Sequence, residues 1–382
     1  MKVYPLPDFS MTLKIVFVLA RSDEIGGAHI HVRDMASYVN KMGGEAIIVA
    51  GGDGVFANLI RDSNIQYISI LSLGRGISLV NDFIAFLRLN ALLRGLKCDL
   101  ISLHSAKAGV LGRLLGLLPG IPPILFTAHG WSFALGVPAM QRFIYIKIES
   151  LLGVFSKKII TVCNADKLLA LSLGVAPESK ISVIHNGMPY LPIRLKCEKS
   201  SSDSSRVNII SVARFEKQKD HETLLRALAM IPARNWHLTL VGGGPGVKSV
   251  MNLALDLQIM HNLTFAGRCY DVVPFLDNSD IFVLSSLWEG FPRSILEALR
   301  ASLPVVASDV GGVSESVINN YNGYCVPSSD ADSLAIALLK LIQDPVIRRK
   351  MGERGRSLYE AKFTFSHMAE ATYELYRSIV LH

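Results

Sequence analysis

The sequence predicts an α/β protein made of two doubly wound domains, and three observations carry that expectation. At 382 residues the chain is long enough for two separate cores. Short β-rich runs alternate with helical segments along nearly all of it, which implies mainly parallel sheets covered on both faces. The first β-rich run ends in a glycine turn that leads directly into a helix, the opening of a doubly wound unit.

In order, Lys14 to Ala20 reads as a strand, Arg21 to Gly27 as a loop, and Ala28 to about Met42 as a helix. Strand patterns recur at Ala46–Ala50, Tyr67–Ile70, Asp99–Leu103, Ile124–Thr127, Lys158–Val162 and Ile181–Ile184. The Pro-, Lys- and Ser-rich stretch 190–206 reads as a linker. A second series follows with strands at Val207–Val212, His237–Val241 and Pro304–Ala307, a buried-strand pattern from Asp280 to Leu284, and helices through residues 345–382. The expected organisation is therefore a disordered leader at 1–12, a first domain at 13–189, the linker, a second domain at 207–362 and a terminal helix at 363–382.

Composition narrows the class. Half of the residues are hydrophobic and 19% are charged, as in a folded protein. No run reaches the roughly 18–20 apolar residues of a membrane span. Leu111 to Phe126, the richest stretch, is interrupted by Arg113, Gly116, Pro119, Gly120, Pro122 and Pro123. The first residues contain two prolines and an aspartate and no cleavage pattern, so a cytoplasmic protein is expected. Cys98, Cys163, Cys197, Cys269 and Cys325 are odd in number and scattered, giving neither a disulfide framework nor metal spacing. Charge is uneven. Residues 1–190 carry 18 Lys and Arg against 12 Asp and Glu, a net of +6, and residues 191–382 carry 21 against 20, a net of +1. Arg75, Arg88, Arg94, Lys97, Lys107 and Arg113 face only Asp82 and Asp99 in sequence. They read as a solvated rim or as a surface for anionic lipid, peripheral on the inner face of the membrane. No nucleic-acid partner is expected.

The most informative stretch is Ser285-Ser286-Leu287-Trp288-Glu289-Gly290-Phe291-Pro292-Arg293-Ser294-Ile295-Leu296-Glu297-Ala298-Leu299. It runs from a strand end through a glycine turn into a helix. Pro292 and Ser294 suit a first turn, whose unpaired amides and partial positive charge favour a phosphate. Glu289 and Glu297 bracket that turn with carboxylates, which accept hydrogen bonds from sugar hydroxyls. Phosphate between hydroxyl-rich groups describes a nucleotide sugar. Glu289 and Glu297, with seven residues between them and Glu-Gly-Phe-Pro at the start, resemble the E-x7-E signature of the retaining glycosyltransferases of family 4. That resemblance implies the GT-B fold, two Rossmann-like domains facing across a cleft.

Other runs resemble the same family. Gly26-Gly27-Ala28-His29-Ile30-His31-Val32 is similar to its glycine-rich first loop, and the residues do not choose between His29 and His31. Thr127-Ala128-His129-Gly130-Trp131 stands at a strand end, where ligands of such sheets gather. It resembles the histidine-glycine loop that touches the donor sugar, with a turn-stabilising histidine as the alternative. His185-Asn186-Gly187-Met188 resembles the run that closes the first domain. Arg214 and Lys219, five residues apart after a strand, are two cations able to converge on one diphosphate. They match a family run, with Asp220 where glycine or asparagine is usual. Gly242-Gly243-Gly244-Pro245-Gly246 suggests a dinucleotide loop, but no carboxylate stands at the end of the next strand, where the sequence is Leu263-Thr264-Phe265-Ala266-Gly267-Arg268, so NAD is not expected. The resemblance implies instead that Gly243 and the segment around Arg268 line the donor site.

Two short runs read as helix caps. Asn164 is expected to cap one helix, and Asp330-Ala331-Asp332 opens another at Ser333. With no further carboxylate or histidine cluster apparent in the sequence, no catalytic metal and no cofactor are expected.

Taken residue by residue, the resemblance implies a donor site formed by Gly26, Gly27, Arg214, Lys219, Gly243, Arg268, Glu289, Gly290, Phe291, Pro292, Ser294, Ile295 and Glu297. Glu289, His129, Arg214 and Lys219 would be catalytic. The implied reaction is retaining, metal-independent transfer of a hexose-type sugar from a UDP- or GDP-linked donor to a sugar hydroxyl on a lipid-linked glycan, in bacterial surface polysaccharide synthesis. A nucleotide-sugar epimerase of the same fold and a non-catalytic scaffold of a polysaccharide assembly complex stand as alternatives.

Overall fold

The computed structural model describes residues 12–74, 76, 78–134, 136–192, 206–232 and 235–381. The leader up to residue 11, Arg75 and the linker from 193 to 205 with Cys197 lie outside the described residues. The chain forms two compact units. The first takes its residues from Met1–Phe133, Val137–Ile184 and Ala369–His382, the second from Ala134–Gly136 and His185–Met368.

The first unit contains seven strands: β1 (Lys14–Val18), β2 (Glu45–Ala50), β3 (Gln66–Ser69), β4 (Leu100–His104), β5 (Ile124–Ala128), β6 (Lys158–Thr161) and β7 (Ile181–Val183). They pair in parallel in the order β3-β2-β1-β4-β5-β6-β7. All residues of β4 and β5 are buried, as in a parallel sheet covered on both faces, although β4 carries Ser102 and His104 two residues apart on one face. The order reverses between β1 and β4, a topological switch point.

The second unit has six strands: β8 (Val207–Val212), β9 (Trp236–Val241), β10 (Leu263–Gly267), β11 (Ile281–Leu284), β12 (Val305–Ser308) and β13 (Gly323–Val326). They too pair in parallel, in the order β10-β9-β8-β11-β12-β13, and reverse between β8 and β11. Its core joins Ile209, Leu238, Leu240, Ile281, Val283 and Val306 of the sheet to Leu224, Leu228, Leu338 and Leu341 of the covering helices.

The expected basic rim needs correction. The Arg113 side chain is fully buried and bonds to Glu149 at 2.7 Å and to the Gly109 carbonyl at 2.8 Å, with its guanidinium 4.2 Å from the centre of the Phe126 ring. Lys107 pairs with Asp82 at 2.5 Å. Arg88, Arg94 and Lys97 stay exposed, on and just after the helix Leu79–Leu96. A charge count along the chain missed Glu149 because it arrives from a helix 36 residues later. Among the described residues no helix is long and apolar enough to cross a membrane.

Candidate functional site

In the second unit, polar residues collect where the sheet order reverses, on the loops that leave β8 and β11. The two loops are stitched together. Ser285 Oγ donates to the carbonyls of Lys219 and Asp220 at 3.2 and 2.9 Å, the Leu287 amide donates to the Gln218 carbonyl at 2.8 Å, and Gln218 Nε2 donates to the Trp288 carbonyl at 2.7 Å. These contacts bring Lys219 against Glu289. The ammonium donates to Glu289 Oε1, which also accepts from Ser286 Oγ at 2.6 Å. Both side chains are largely removed from water, with 14% and 7% of their surface exposed. A charge pair this dry depends on each partner for its solvation.

The loop that carries Glu289 is held from several sides. Asn186 Nδ2 donates to the Phe291 carbonyl at 2.9 Å, and the His185 ring packs 4.7 Å from that of Phe291 while bonding Glu315 at 2.7 Å. The Gly312 amide donates to the Gly290 carbonyl at 2.8 Å. Beside it Gly311 has φ +56°, and a Cβ there would lie 1.9 Å from the Glu289 carbonyl oxygen, so only glycine fits.

From Pro292 the chain enters the helix Arg293–Arg300. Pro292 provides no side-chain cap, which leaves the first-turn amides around Ser294 and Ile295 available to an anion. Glu297, on the second turn, lines a pocket of about 110 Å³ with Asp277, Leu276 and Arg300. Burial pushes its carboxyl above the usual range, opposed by Arg293 and Arg300.

Arg214 and Lys219 are engaged by different carboxylates. Arg214 is half exposed and bonds Glu216 at 3.0 Å within its own loop. The glycine loop after β9 packs on that loop: the Phe215 amide donates to the Gly243 carbonyl and the Gly246 amide to the Phe215 carbonyl, both at 3.0 Å. A Cβ on Gly242 would sit 1.9 Å from the Ala213 carbonyl, so this glycine serves close loop packing. Arg268 is next to Gly243, its Cβ 3.6 Å from where a Gly243 Cβ would be.

In the first unit the switch point lies between β1 and β4. Gly26 precedes the helix Gly27–Lys41. His29 is taken up by its own loop: Nδ1 accepts from the Gly26 amide and Nε2 donates to the Arg21 carbonyl, each at 3.2 Å, and burial lowers its pKa. His31 instead meets two other histidines. Its ring centre is 5.5 Å from that of His104, at the end of β4, and 4.9 Å from that of His129, just beyond β5. One ring nitrogen from each lies within 4.8 Å of the others. The sequence showed no histidine cluster because its members come from positions 31, 104 and 129. Three imidazoles can hold a divalent transition metal. Here His104 Nδ1 and His129 Nε2 face each other at 3.0 Å, a direct hydrogen bond.

The caps differ by one case from the sequence expectation. Cys163, not Asn164, caps the helix Asn164–Ser172, its sulfur accepting from the Asp166 amide at 3.4 Å. Asn164 is displaced to the first helical position because Cys163 has the extended backbone a cap requires. Asp330 accepts from the amide and hydroxyl of Ser333 at 2.9 and 2.6 Å and is a cap. Of the residues that build these sites, Gln218 and His104 were not singled out in the sequence, and Ser286 and Asn186 stood in informative runs without an assigned contact. Their roles come from contacts with backbone or with residues far along the chain.

A parallel α/β fold in two units, each with charged or hydrogen-bonding side chains at its switch point, defines a class that binds polar ligands at strand ends. Residues 25–189 match the family described as Glycosyltransferase Family 4 and residues 194–358 match Glycosyl transferases group 1, together most of the chain. The chain belongs to these glycosyltransferases. It is 28% identical over 298 residues to the UDP-Gal:alpha-D-GlcNAc-diphosphoundecaprenol alpha-1,3-galactosyltransferase of Escherichia coli, covering 75% of this chain and 77% of that one. It is 24% identical over 323 residues to the capsular polysaccharide biosynthesis glycosyltransferase CapM of Staphylococcus aureus, covering 81% and 85%. Among solved structures, Anabaena Alr3699/HepE in complex with UDP and glucose superposes with a TM-score of 0.84 at 20% identity, covering 96% of this chain and all of that one. The fold is GT-B.

Proposed function

We propose that this chain is a retaining glycosyltransferase that moves a hexose-type sugar from a UDP- or GDP-linked donor to a sugar hydroxyl on a lipid-linked glycan, in the assembly of a bacterial surface polysaccharide. The observation that carries the reading is the grouping of Lys219, Glu289 and Ser286 on two stitched loops at the second unit's switch point, next to an uncapped helix start. The donor diphosphate is assigned to the amides from Phe291 to Ile295, with Lys219 and Arg214 taking up the charge that grows on the leaving group in place of a metal ion. Glu289 is assigned to the hexose hydroxyls and Glu297 to the ribose. Gly243 and Arg268 flank the nucleotide, and Gly26, Gly27 and His129 are assigned by the family resemblance. Retention follows the front-face course, with the acceptor hydroxyl beside the departing phosphate.

Relatives support the substrate class. The Escherichia coli enzyme is named for transfer from UDP-Gal to a diphosphoundecaprenol-linked sugar, CapM for capsular polysaccharide biosynthesis, and HepE is described in complex with UDP and glucose.

The test is a panel of sugar nucleotides in thermal-shift and nucleotide-release assays, with and without lipid-linked acceptors and with a chelator present. One donor is expected to stabilise the protein, to release nucleotide faster with acceptor, and to do so in chelator. Conversion of a donor without acceptor would point to an epimerase, and silence with every donor to a scaffold.

Leu79, Val80, Phe83 and Leu87 are exposed on the helix that bears Arg88 and Arg94, with Lys97 just beyond it. This apolar and basic face favours a second reading, peripheral attachment to an anionic membrane on its cytoplasmic side. Co-sedimentation with anionic but not neutral vesicles is expected, and indifference to lipid charge would remove it.

A further inference from the structure

The histidine cluster of the first unit continues into the protein as a chain of hydrogen bonds. His129 Nε2 faces His104 Nδ1 at 3.0 Å, His104 Nε2 faces Ser102 Oγ at 2.9 Å, and Ser102 Oγ faces the Tyr376 hydroxyl at 3.4 Å. Ser102 and His104 lie on β4, and Tyr376 on the terminal helix Phe365–Leu381. Ser102, His104 and Tyr376 are all fully buried.

The direction of the chain follows from counting protons. Among the described residues, Ser102 Oγ is the one hydrogen-bond partner of the Tyr376 hydroxyl, and a buried O–H left without an acceptor is costly. Tyr376 therefore donates to Ser102. The serine has a single proton of its own and passes it to His104 Nε2. Because His104 Nε2 accepts from the serine it carries no proton, and the buried ring, packed against Phe17, is neutral. Its one ring proton is then on Nδ1, which donates to His129 Nε2. In the opposite direction the Tyr376 hydroxyl would be stranded.

We infer that Tyr376, Ser102 and His104 are positioning residues that hold His129 as the neutral tautomer protonated on Nδ1, so that His129 offers its substrate a hydrogen-bond donor rather than a base or a cation. An imidazolium at His129 would bring a second N–H against the His104 N–H. The chemistry that suits a neutral donor is an oxygen lone pair, such as a hydroxyl or ring oxygen of the transferred sugar. The part concerning the sugar rests on the proposed function, whereas the tautomer does not.

Two measurements separate them. With 15N-labelled histidine in the ligand-free full-length chain, His129 is expected to show a protonated-type shift at Nδ1 and an unprotonated-type shift at Nε2, and Tyr376→Phe is expected to mix the two tautomers. In kinetics, Tyr376→Phe should lower kcat about five- to tenfold with KM for the donor nearly unchanged, the scale of one neutral hydrogen bond. His104→Phe should lower it more, whereas His104→Asn, which keeps an N–H at the position of Nδ1, should recover most of the loss. A proton on Nε2 of His129 in the wild type would overturn the inference. So would stoichiometric zinc binding that moves the resonances of His31, His104 and His129 together, which would make the cluster a metal site. The expected tautomer in a protein that processes no sugar nucleotide would leave the chain of hydrogen bonds standing and sink the proposed function alone.

Discussion

Replacing Lys219 by methionine tests the site most directly, since it keeps most of the apolar stem and removes the charge. In the wild type Glu289 Oε1 accepts from Lys219 and from Ser286, and little of either charged side chain meets water. Removing one partner of a buried pair costs roughly 3–5 kcal/mol. Because Lys219 keeps some exposure and Ser286 remains, the lower end applies, about 3 kcal/mol, or about 6–12 °C in the melting temperature of a unit this size. Glu289→Gln should cost less, since its amide oxygen still accepts from the ammonium. The double variant should be less destabilised than the sum of the singles, the signature of direct contact. Nucleotide release then separates holding from catalysis. If Lys219 only orients Glu289, Lys219→Met adds nothing to the loss already present in Glu289→Gln. If it neutralises the leaving diphosphate, the double variant loses at least about a further tenfold in kcat, out of a loss of about 10²–10³ for Lys219→Met alone. The second result is expected. A Lys219→Met protein with unchanged melting temperature and turnover near that of the wild type would refute both the energetics and the role.

Gly311→Ala should lower kcat by about a hundredfold, because its Cβ would lie 1.9 Å from the Glu289 carbonyl and displacing the loop by about 1 Å is enough for such a loss. Gly174→Ala is the control: its φ of +65° gives a similar backbone penalty with nothing within 4 Å, so melting should fall while turnover holds. His221 stacks on Phe215 with ring centres 4.4 Å apart, and burial lowers its pKa to about 4. A histidine depressed in the folded state contributes stability above its unfolded pKa near 6.5 that is lost as pH falls towards about 4. His221→Phe should therefore lose about 3 kcal/mol less than the wild type between those pH values, read as a flatter plot of melting temperature against pH; parallel plots would contradict it.

The parallel sheets were legible because their strands are buried on both faces and appear as short apolar runs separated by helices. Val207–Val212 is bounded as the pattern indicated. β13 was not legible, because Gly323-Tyr324-Cys325-Val326 is too short and mixed to stand out from a turn. The region around Glu289 could be located because its turn chemistry is local: strand, glycine, proline and helix follow one another. What holds it there was not. Asn186 reaches Phe291 across 105 positions and Lys219 reaches Glu289 across 70. His185-Asn186-Gly187 resembled a run that closes the first domain, yet its asparagine side chain donates to a carbonyl of the glutamate loop. The charge reading failed at Arg113 for the same reason: sequence gives the sign of a charge, and only packing decides whether it meets water.

Both units place polar groups where hydrophobic ones would be more stable. An apolar replacement for a buried pair such as Lys219 and Glu289 is often neutral or stabilising, and the Tyr376, Ser102 and His104 chain occupies space next to Phe17 that hydrocarbon would fill without any hydrogen bond to satisfy. Neither group is needed to close the sheets, since β1 pairs with β4 and β8 with β11 through backbone bonds alone. Both sit at the carboxyl end of strands beside the reversal in strand order, the one position in each sheet where neighbouring loops diverge and leave room for a ligand. Local departures from the most stable sequence at that position are expected where function requires them. It follows that replacing the whole chain by hydrocarbon, Ser102→Ala with His104→Phe and Tyr376→Phe, should leave melting nearly unchanged while impairing turnover, whereas Ser102→Ala alone strands two buried partners and should lower both.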